Sequence, residues 1–385
     1  MTERAFWLAW SQLPKAGPVL LQRIEARFGS LAAAWQADAI ALNSVEGIGI
    51  KTAQSWVAHR KQLDPIALLE QHLQTNPQFW TPSDALYPRL LLEIPNPPPV
   101  LYYRGIVEPE ENQGIRPAVA IVGTRDVTDY GRRWTYRLSK QLAQRGFTIV
   151  SGMAQGVDTQ AHRGCLDAGG RTIAVLGTGV DIIYPPGNQS LYKQILEQGL
   201  AIGEYPAGVQ PNRAHFPQRN RIVAGLSRAV LVTEAPTHSG ALITARLANE
   251  FGRDVYVLPG RIDDENSKGC LGLISKGAQA LINEGYVLEL LSQIPELDPV
   301  IPRENEPTQQ LSLFSASPKP VPVPAPVLSL PPLQQKVLEA VKMEATSLDA
   351  IVQQTGLSAA EVSSTLIELE LLGLVSQLPG MRYQR

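Results

Sequence analysis

The middle of the chain alternates short β-branched runs with helical stretches, and this alternation limits the fold more than any other feature. Six runs have the length and composition of buried strands. They are AVAIV (118–122), TIV (148–150), TIAVL (172–176), LAIGE (200–204), AVLVTE (229–234) and DVYVL (254–258). Strands that alternate with helices predict an α/β fold, a doubly wound parallel sheet with helices on both faces.

Composition divides the 385 residues into four segments. Residues 1–72 are helical in pattern, and residues 76–294 hold the alternating unit. Residues 295–328 are polar and then Pro-rich, which predicts an extended linker because regularly spaced prolines exclude helix and sheet. Residues 329–385 are predicted to form a small helical module.

Overall charge and cysteine content exclude several classes of protein. The net charge is -2 and 44% of the residues are hydrophobic, so the chain is neither disordered nor basic overall. Cys165 and Cys270 lie far apart without CxxC spacing, so we expect no disulfide framework and no zinc site. We see no signal peptide and no apolar stretch of about 18 residues. A reduced, cytoplasmic protein without a membrane segment is the expectation.

The N-terminal segment carries a weak internal repeat. The string VEGIGIKTAQSW (45–56) echoes LPKAGPVLLQRI (13–24), with Lys15 where a glycine is expected. The turn Gly47–Gly49 resembles that of the helix-hairpin-helix motif of DNA-binding proteins. Two interpretations stay open: a helical hairpin used for packing, or backbone N–H groups that hold a phosphate.

Glycine, together with a hydroxyl group or an arginine, follows nearly every predicted strand. Examples are GTRDVTDYG, SGMAQGVD and APTHSGALITA. The carboxyl ends of parallel strands meet at the edge of the sheet where ligands bind. Glycine lets a ligand approach the backbone, and helix N-termini favour anions. The pattern predicts a site for a polyanion, and Ser239 is the predicted N-cap of the helix that follows.

A cluster of arginines lies in the string FPQRNRIVAGLSR (216–228), at the predicted start of a helix. Residues 117–290 hold 18 Lys+Arg and 15 Asp+Glu, so only local clustering can create a basic groove. The arginines either contact phosphates or form internal ion pairs that brace the loops. The arginines concerned are Arg125, Arg219 and Arg221, and their candidate partners are Glu204, Glu234 and Asp158.

Known nucleotide-binding and catalytic motifs fit poorly. Arg125 stands where GxGxxG needs its second glycine, and no GxxxxGK[ST], HExxH or GxSxG string occurs. Asp158 lies four residues before His162 in a helical stretch, which predicts a local structural pair. We therefore predict no catalytic residue, no metal site and no cofactor.

Seven strings occur in an order that resembles the DprA/Smf (DNA-processing protein A) family over about residues 80–282. They are YPRLLLEIPNPPPVLYYRG, VAIVGTRDVTDYG, IVSGMAQGVDTQAH, TIAVLGTGVDIIYPPGN, FPQRNRIVAGLS, EAPTHSGALITA and GRDVYVLPG. The resemblance implies an extended Rossmann-like fold that binds single-stranded DNA without catalysing a reaction on it. It also implies a homodimer that protects incoming strands during natural transformation and helps to load the RecA recombinase.

The resemblance also implies which residues build the DNA groove. Two turns (GTR and SGMA) and the FPxRNR segment build it, and the Ser239 turn after the fifth strand lies near the same pocket. The residues are Gly123, Thr124 and Arg125; Ser151 and Gly152; Arg219, Asn220 and Arg221; and Ser239 with Gly240. Single strands bind through basic grooves and base stacking, and phosphate contacts carry no sequence information. We therefore expect little sequence preference.

The C-terminal segment resembles a winged helix, which this family often carries. Residues 333–375 predict three helices, followed by a short hairpin. The third helix holds Glu361, Glu368 and Glu370 without any Lys or Arg, and residues 331–385 carry four positive and six negative charges. Because these charges repel phosphates, we expect contact with a protein or a regulatory role rather than major-groove reading.

Two other classes of function stay open at this point. One is a nucleotide-hydrolysing enzyme of the cytokinin-activating type, which uses a PGGxGTxxE string to place a catalytic glutamate; EAPTHSGALITA lacks that glutamate. The other is a nucleotide-sensing module with one small phosphate ligand. Such a module would be stabilised thermally by mononucleotides but not by a long single strand.

Overall fold

The chain divides into two compact units, within Met1–Pro302 and Arg303–Arg385, and each is described by itself. The residues that the computed structural model describes are 2–292, 331–342, 346–371, 374–378 and 382–384. The linker predicted over 295–328 lies outside the described residues. Among the described residues, no helix has both the length and the apolar character that crossing a membrane requires.

The first unit begins with six helices around a core rich in tryptophan. They are α1 (Thr2–Ser11), α2 (Pro18–Phe28), α3 (Leu31–Trp35), α4 (Ala39–Asn43), α5 (Ile50–Arg60) and α6 (Pro65–Thr75). The Trp10 ring lies edge-on to Trp35 and Trp56, at centroid distances of 5.3 and 5.6 Å. Such edge-to-face pairs stabilise a core beyond the burial of their area.

The two echoing strings form turns of the same backbone geometry. Lys15 and Gly47 occupy equivalent positions and both have a left-handed φ, 65° and 89°. Gly17 and Gly49 follow them as the N-caps of α2 and α5. The left-handed region favours glycine, yet the turn keeps its shape with a lysine there. The repeat is therefore present in the backbone of both copies.

A nine-stranded sheet forms the centre of the first unit. Its strands are β1 (Phe79–Trp80), β2 (Leu101–Gly105), β3 (Ala118–Gly123), β4 (Thr148–Ser151), β5 (Thr172–Gly179), β6 (Leu200–Tyr205), β7 (Ala229–Glu234), β8 (Asp254–Val257) and β9 (Gln279–Ala280). The spatial order is β1-β2-β6-β5-β4-β3-β7-β8-β9, and β2 pairs antiparallel with both neighbours while the other pairs are parallel. The six predicted strands and the doubly wound sheet are confirmed. Strands β1, β2 and β9 were not predicted from the sequence.

Helices cover both faces of the sheet. They are α7 (Arg89–Leu92), α8 (Pro109–Asn112), α9 (Asp129–Gln144), α10 (Val157–Leu166), α11 (Gln189–Gln198), α12 (His215–Gly225), α13 (Ala241–Glu250), α14 (Lys268–Ile274) and α15 (Glu284–Ser292). Alternate residues of β3 point to opposite faces, as the period of a strand requires. Ala120 and Val122 pack in the core that includes α12 and α13, and Val119 and Ile121 pack in the core that includes α9 and α10.

The second unit contains three helices and a small antiparallel sheet. Its elements are α16 (Pro332–Ala340), β10 (Thr346–Ser347), α17 (Leu348–Thr355), α18 (Ala359–Leu371), β11 (Ser376–Leu378) and β12 (Arg382–Gln384). The strand order is β10-β12-β11. The three predicted helices and the hairpin are confirmed, and the arrangement is that of a winged helix.

Candidate nucleic-acid interface

A cleft of about 620 Å³ opens at the carboxyl ends of the parallel strands. Turns that follow β3, β4 and β7 line it together with α12. The predicted site residues that line it are Gly123, Thr124, Arg125, Gly152, Arg219, Asn220, Ser239 and Gly240. Ser151 and Arg221 do not belong to its lining among the described residues. The structure thus brings eight of the ten predicted residues to one place.

The turn after β3 holds Arg125 at the mouth of the cleft. The backbone N–H of Thr124 donates to the Glu234 carbonyl at 2.7 Å, and its own carbonyl accepts from Val157 N at 3.1 Å. Arg125 follows directly and is exposed. Its guanidinium carbon lies 5.6 Å from the centroid of the Phe216 ring. Within the described residues its side chain makes no hydrogen bond or salt bridge, so its donors are available to a ligand.

Arg219 has the opposite environment and is only 6% exposed. Its Nη1 donates to the carbonyl oxygens of Gly152 and Val175. Burial lowers the pKa of Arg219 to about 10, although the charge of Asp158 opposes that shift. The side chain is therefore charged at neutral pH, and its Nη1 is already hydrogen-bonded inside the protein.

Asp158 and Gly152 complete the surroundings of Arg219. Oδ2 of Asp158 accepts from the backbone N–H groups of Gly152 and Ala154 at 3.0 and 3.2 Å. Burial raises the pKa of Asp158, and the positive charge of Arg219 acts against that shift. A Cβ atom on Gly152 would lie 2.5 Å from the Arg219 guanidinium. The turn after β4 is shaped to accept this arginine.

Arg221 takes part in the internal ion pairing that the sequence left open. Its Nη2 lies 2.5 Å from Oε1 of Glu204, and its Nε donates to the Asn96 carbonyl at 3.0 Å. Only 7% of the residue is exposed. The pair with Glu204 is confirmed, and the position of Arg221 gives no support to a direct contact with DNA.

Helix α12 carries Arg219 and Asn220 into the site. The helix begins at His215, one turn before Arg219, because Pro217 is tolerated in a first turn and does not stop the helix there. The string 216–228 therefore does begin a helix, as predicted, and Arg219 and Arg221 lie in the second turn of that helix. Asn220 is half-buried, and its Nδ2 donates to the Gly240 carbonyl at 3.2 Å, which ties α12 to the start of α13.

The two serines serve the local structure. Ser151 is fully buried and its hydroxyl donates to the Ile121 carbonyl at 2.6 Å. Prediction of Ser239 as N-cap is wrong by one residue, since Gly240 is the N-cap of α13 and already has helical backbone angles. The Ser239 hydroxyl accepts from Ala241 N at 3.3 Å, and its carbonyl accepts from Leu242 N at 3.1 Å.

The predicted pair of Asp158 and His162 does not form. Asp158 lies in the first turn of α10 and reaches back to the turn after β4, whereas His162 Nδ1 lies 2.7 Å from Thr172 Oγ1. His162 is fully buried, and its Nε2 has no partner among the described residues. Burial lowers the pKa of His162 to about 3, so the ring is neutral at neutral pH.

Three residues that line the cleft were not predicted as site residues: Tyr184, Arg213 and Phe216. Tyr184 is 38% exposed, and its ring centroid lies 5.5 Å from that of Phe216. Arg213 is exposed. The sequence signal that could have identified Tyr184 is the IYPP string after the third predicted strand. For Arg213 and Phe216 it is their position just before the string RNR. We call Arg125, Arg213, Tyr184 and Phe216 the rim, and Arg219, Gly152 and Asp158 the floor.

The cleft combines the exposed cations Arg125 and Arg213 with an exposed ring, Tyr184, and a half-buried one, Phe216. Guanidinium groups bind phosphates, and flat aromatic faces stack on nucleobases. No group of His, Cys, Asp and Glu that could hold a metal ion occurs in the part of the chain that the structure describes. This arrangement is suited to a polyanion that also carries planar groups.

Two family models match this chain. The family model for DNA recombination-mediator protein A matches residues 78–292, and that for the DprA winged helix domain matches residues 320–381. Protein Smf of Synechocystis sp. is 51% identical over 100% of this chain and 99% of its own length. Protein Smf of Escherichia coli is 36% identical over 89% of this chain and 86% of its own length.

Solved structures agree with these matches. The X-ray structure of DNA processing protein A from Streptococcus pneumoniae has a TM-score of 0.64 at 34% identity, and covers 75% of this chain and 96% of that chain. The Helicobacter pylori protein, described for its unique single-stranded DNA binding mode, has a TM-score of 0.51 at 33% identity. That match covers 57% of this chain and 98% of that chain.

Proposed function

This chain belongs to the family of DNA recombination-mediator protein A, also called DprA/Smf, and from that premise we propose that it binds single-stranded DNA in the cleft. The observation that carries the proposal is the rim. Arg125 is exposed, has no hydrogen bond or salt bridge within the described residues, and lies over an aromatic ring. Phosphate recognition and base stacking are thus available side by side.

The rim and the floor have different tasks in this proposal. Arg125 and Arg213 contact phosphates from the solvent side, and Tyr184 and Phe216 offer faces on which bases stack. Arg219 contributes its charge from below and fixes the turn after β4. Because these contacts go to phosphates and to base faces, the protein binds single strands with little sequence preference.

Acidic groups near the cleft support a binding role rather than catalysis on the DNA. Asp158 accepts two backbone hydrogen bonds, and the Glu234 carboxylate accepts from Thr128 N at 3.0 Å. Burial raises the pKa of Glu234, and its hydrogen bonds with Thr128 oppose that shift. These carboxylates hold turns together. We infer that the protein binds and protects the strand without cleaving it.

The cellular role that we propose for this chain is the one that its resemblance to the family implies. The protein acts in the cytoplasm as a homodimer, protects incoming single strands during natural transformation and recombination, and helps to load RecA on them. The acidic winged helix, with Glu361 and Glu368 exposed on α18, fits contact with a protein better than contact with phosphates.

The test is fluorescence anisotropy of labelled oligo-dT with the purified protein across a salt series. We expect Arg125→Ala to weaken binding roughly 10-fold and to reduce the salt slope by about 0.7, the value for one phosphate contact on a single strand. Duplex competitor should displace the oligonucleotide poorly.

Arg246→Ala is the matched control, because Arg246 is exposed, pairs with Glu250 and does not line the cleft. It should bind as the parent does. Equal affinity of Arg125→Ala and the parent would remove Arg125 from the interface. Displacement by a mononucleotide but not by a long single strand would favour a nucleotide-sensing module instead.

A further inference from the structure

Two further depressions continue from the cleft across the surface. The first, of about 740 Å³, is bordered by Arg125, Arg132, Gln160 and Arg163 among others. The second, of about 460 Å³, lies along α9 and shares Arg132 and Gln160 with the first. Arg125 borders both the cleft and the first depression. Shared residues therefore connect the three into one continuous track.

Positive charge dominates the part of the track beyond the cleft. Its cations are Arg125, Arg132, Arg133, Arg137, Lys140 and Arg163, against the anions Asp126 and Asp129. Arg132 has a weak ion pair, with Nη1 3.8 Å from Asp129 Oδ1, and Arg137 is bonded to Glu284. Within the described residues, Arg133, Lys140 and Arg163 make no side-chain hydrogen bond or salt bridge. Most of this charge is not neutralised internally.

Four of these cations lie on α9, and their spacing places them on one face of the helix. Residues three and four apart on a helix are neighbours, so Arg132, Tyr136 and Lys140 form one row and Arg133 and Arg137 form another. We call these five residues the α9 strip. Like charges four residues apart destabilise a helix slightly, and a bound polyanion removes that repulsion.

We propose that the α9 strip continues the path of the single strand. A strand that fills the cleft leaves it past Arg125 and lies along α9, with its phosphates toward Arg132, Arg133 and Lys140. The half-buried ring of Tyr136 lies among these cations, as aromatic residues do in surfaces that bind single strands. This inference rests on the proposed function, since the first part of the strand occupies the cleft.

The length of the strip sets what the proposal predicts. Arg132 and Lys140 are eight residues apart, which corresponds to about 12 Å along a helix. A strand of about 6 nucleotides occupies the cleft alone, whereas one of about 20 nucleotides reaches the strip. Only the longer strand should respond to changes on α9.

The experiment uses the full chain with labelled oligo-dT of about 6 and about 20 nucleotides over a salt series. The strip variant combines Arg132→Ala, Arg133→Ala and Lys140→Ala. We expect it to bind the longer strand at least roughly 10-fold more weakly, with a salt slope smaller by about 2, and to bind the shorter strand within about 2-fold of the parent.

The control variant removes three exposed cations that border none of these depressions: Lys193→Ala, Arg246→Ala and Lys276→Ala. It carries the same change in net charge and should bind both lengths as the parent does. Thermal melting of both variants should match the parent, because five of the substituted residues are exposed and the sixth, half-buried Lys140, makes no side-chain hydrogen bond or salt bridge within the described residues.

The outcomes separate the strip from the cleft. Parent-like binding of the longer strand by the strip variant would overturn the proposal, while Arg125→Ala would still weaken both lengths if the cleft binds DNA. An equal loss on both lengths, or a larger loss for a hairpin duplex than for the single strand, would also overturn it. If the parent binds neither length, the proposed function fails and the strip fails with it.

Discussion

The floor and the rim of the cleft use the same residue type in opposite ways. Arg219 is 6% exposed and donates to two backbone carbonyls, whereas Arg125 is exposed and has no such partner among the described residues. Both belong to strings that the sequence predicted to contact DNA. The difference teaches that the availability of the N–H groups, more than the position of the residue in a motif, decides whether an arginine can bind a phosphate.

The largest expected effect tests the floor through stability. Arg219→Ala leaves Asp158 buried without its cation and removes one hydrogen-bond donor from each of two buried carbonyls, so we expect the free energy of unfolding to fall by about 3–5 kcal/mol. Arg125→Ala should change it by less than about 0.5 kcal/mol, as exposed substitutions usually do. Urea unfolding measures both. Similar losses for the two variants would abolish the distinction between floor and rim.

The next largest effect on stability is expected when alanine replaces one of two glycines of the cleft. A Cβ on Gly152 meets the Arg219 guanidinium at 2.5 Å, whereas a Cβ on Gly240 has nothing within 4 Å. Gly152→Ala should therefore cost about 1–3 kcal/mol, the usual range for overpacking a buried site. Gly240→Ala should stay within about 0.5 kcal/mol of the parent. Thermal unfolding of both decides the matter, and equal melting temperatures would contradict the packing of Arg219 against this turn.

The smallest effect appears on acidification. The pKa of His162 is about 3 in the folded protein, below its ordinary value of 6.5, so the unfolded chain takes up a proton first. The contribution of His162 to the free energy of unfolding therefore falls as the pH drops below about 6.5. Between pH 7 and 5.5 the free energy of unfolding decreases by about 1 kcal/mol for this reason.

Two variants isolate this contribution of His162. His162→Gln should show a flatter dependence of the free energy of unfolding on pH, because the titrating group is gone. His238→Gln, at an exposed position of the turn after β7, should keep the dependence of the parent. If His162→Gln and the parent lose the same free energy between pH 7 and 5.5, the neutral buried state of His162 is wrong.

The central strands were predictable because they are buried on both faces and therefore form continuous apolar runs. The other strands lacked that signal. Phe79–Trp80 and Gln279–Ala280 each have two residues, and Leu101–Gly105 ends in exposed residues at the antiparallel side of the sheet. Helices α16 to α18 were predictable from their amphipathic pattern and from the turn residues between them.

The location of the site followed from topology, but the state of each side chain did not. Turns after parallel strands meet at one edge, and helix α12 borders that edge, so eight predicted residues line one cleft. Arg219 and Arg221 look equivalent in the string FPQRNR, yet one is bonded under the cleft and the other pairs with Glu204. Which carbonyl or carboxylate an arginine meets depends on packing between distant segments, which no local pattern encodes.

The convergence of strand ends also fixes when the cleft can exist during synthesis. Its parts span Val122 to Thr244, about 120 residues of chain. At roughly 5–20 residues per second, the last part leaves the ribosome about 6–24 s after the first. Throughout that interval the nascent chain contains Arg125 but lacks the complete helix α13, whose residues complete the lining of the cleft. The cleft therefore forms late and in one step, when translation has passed α13.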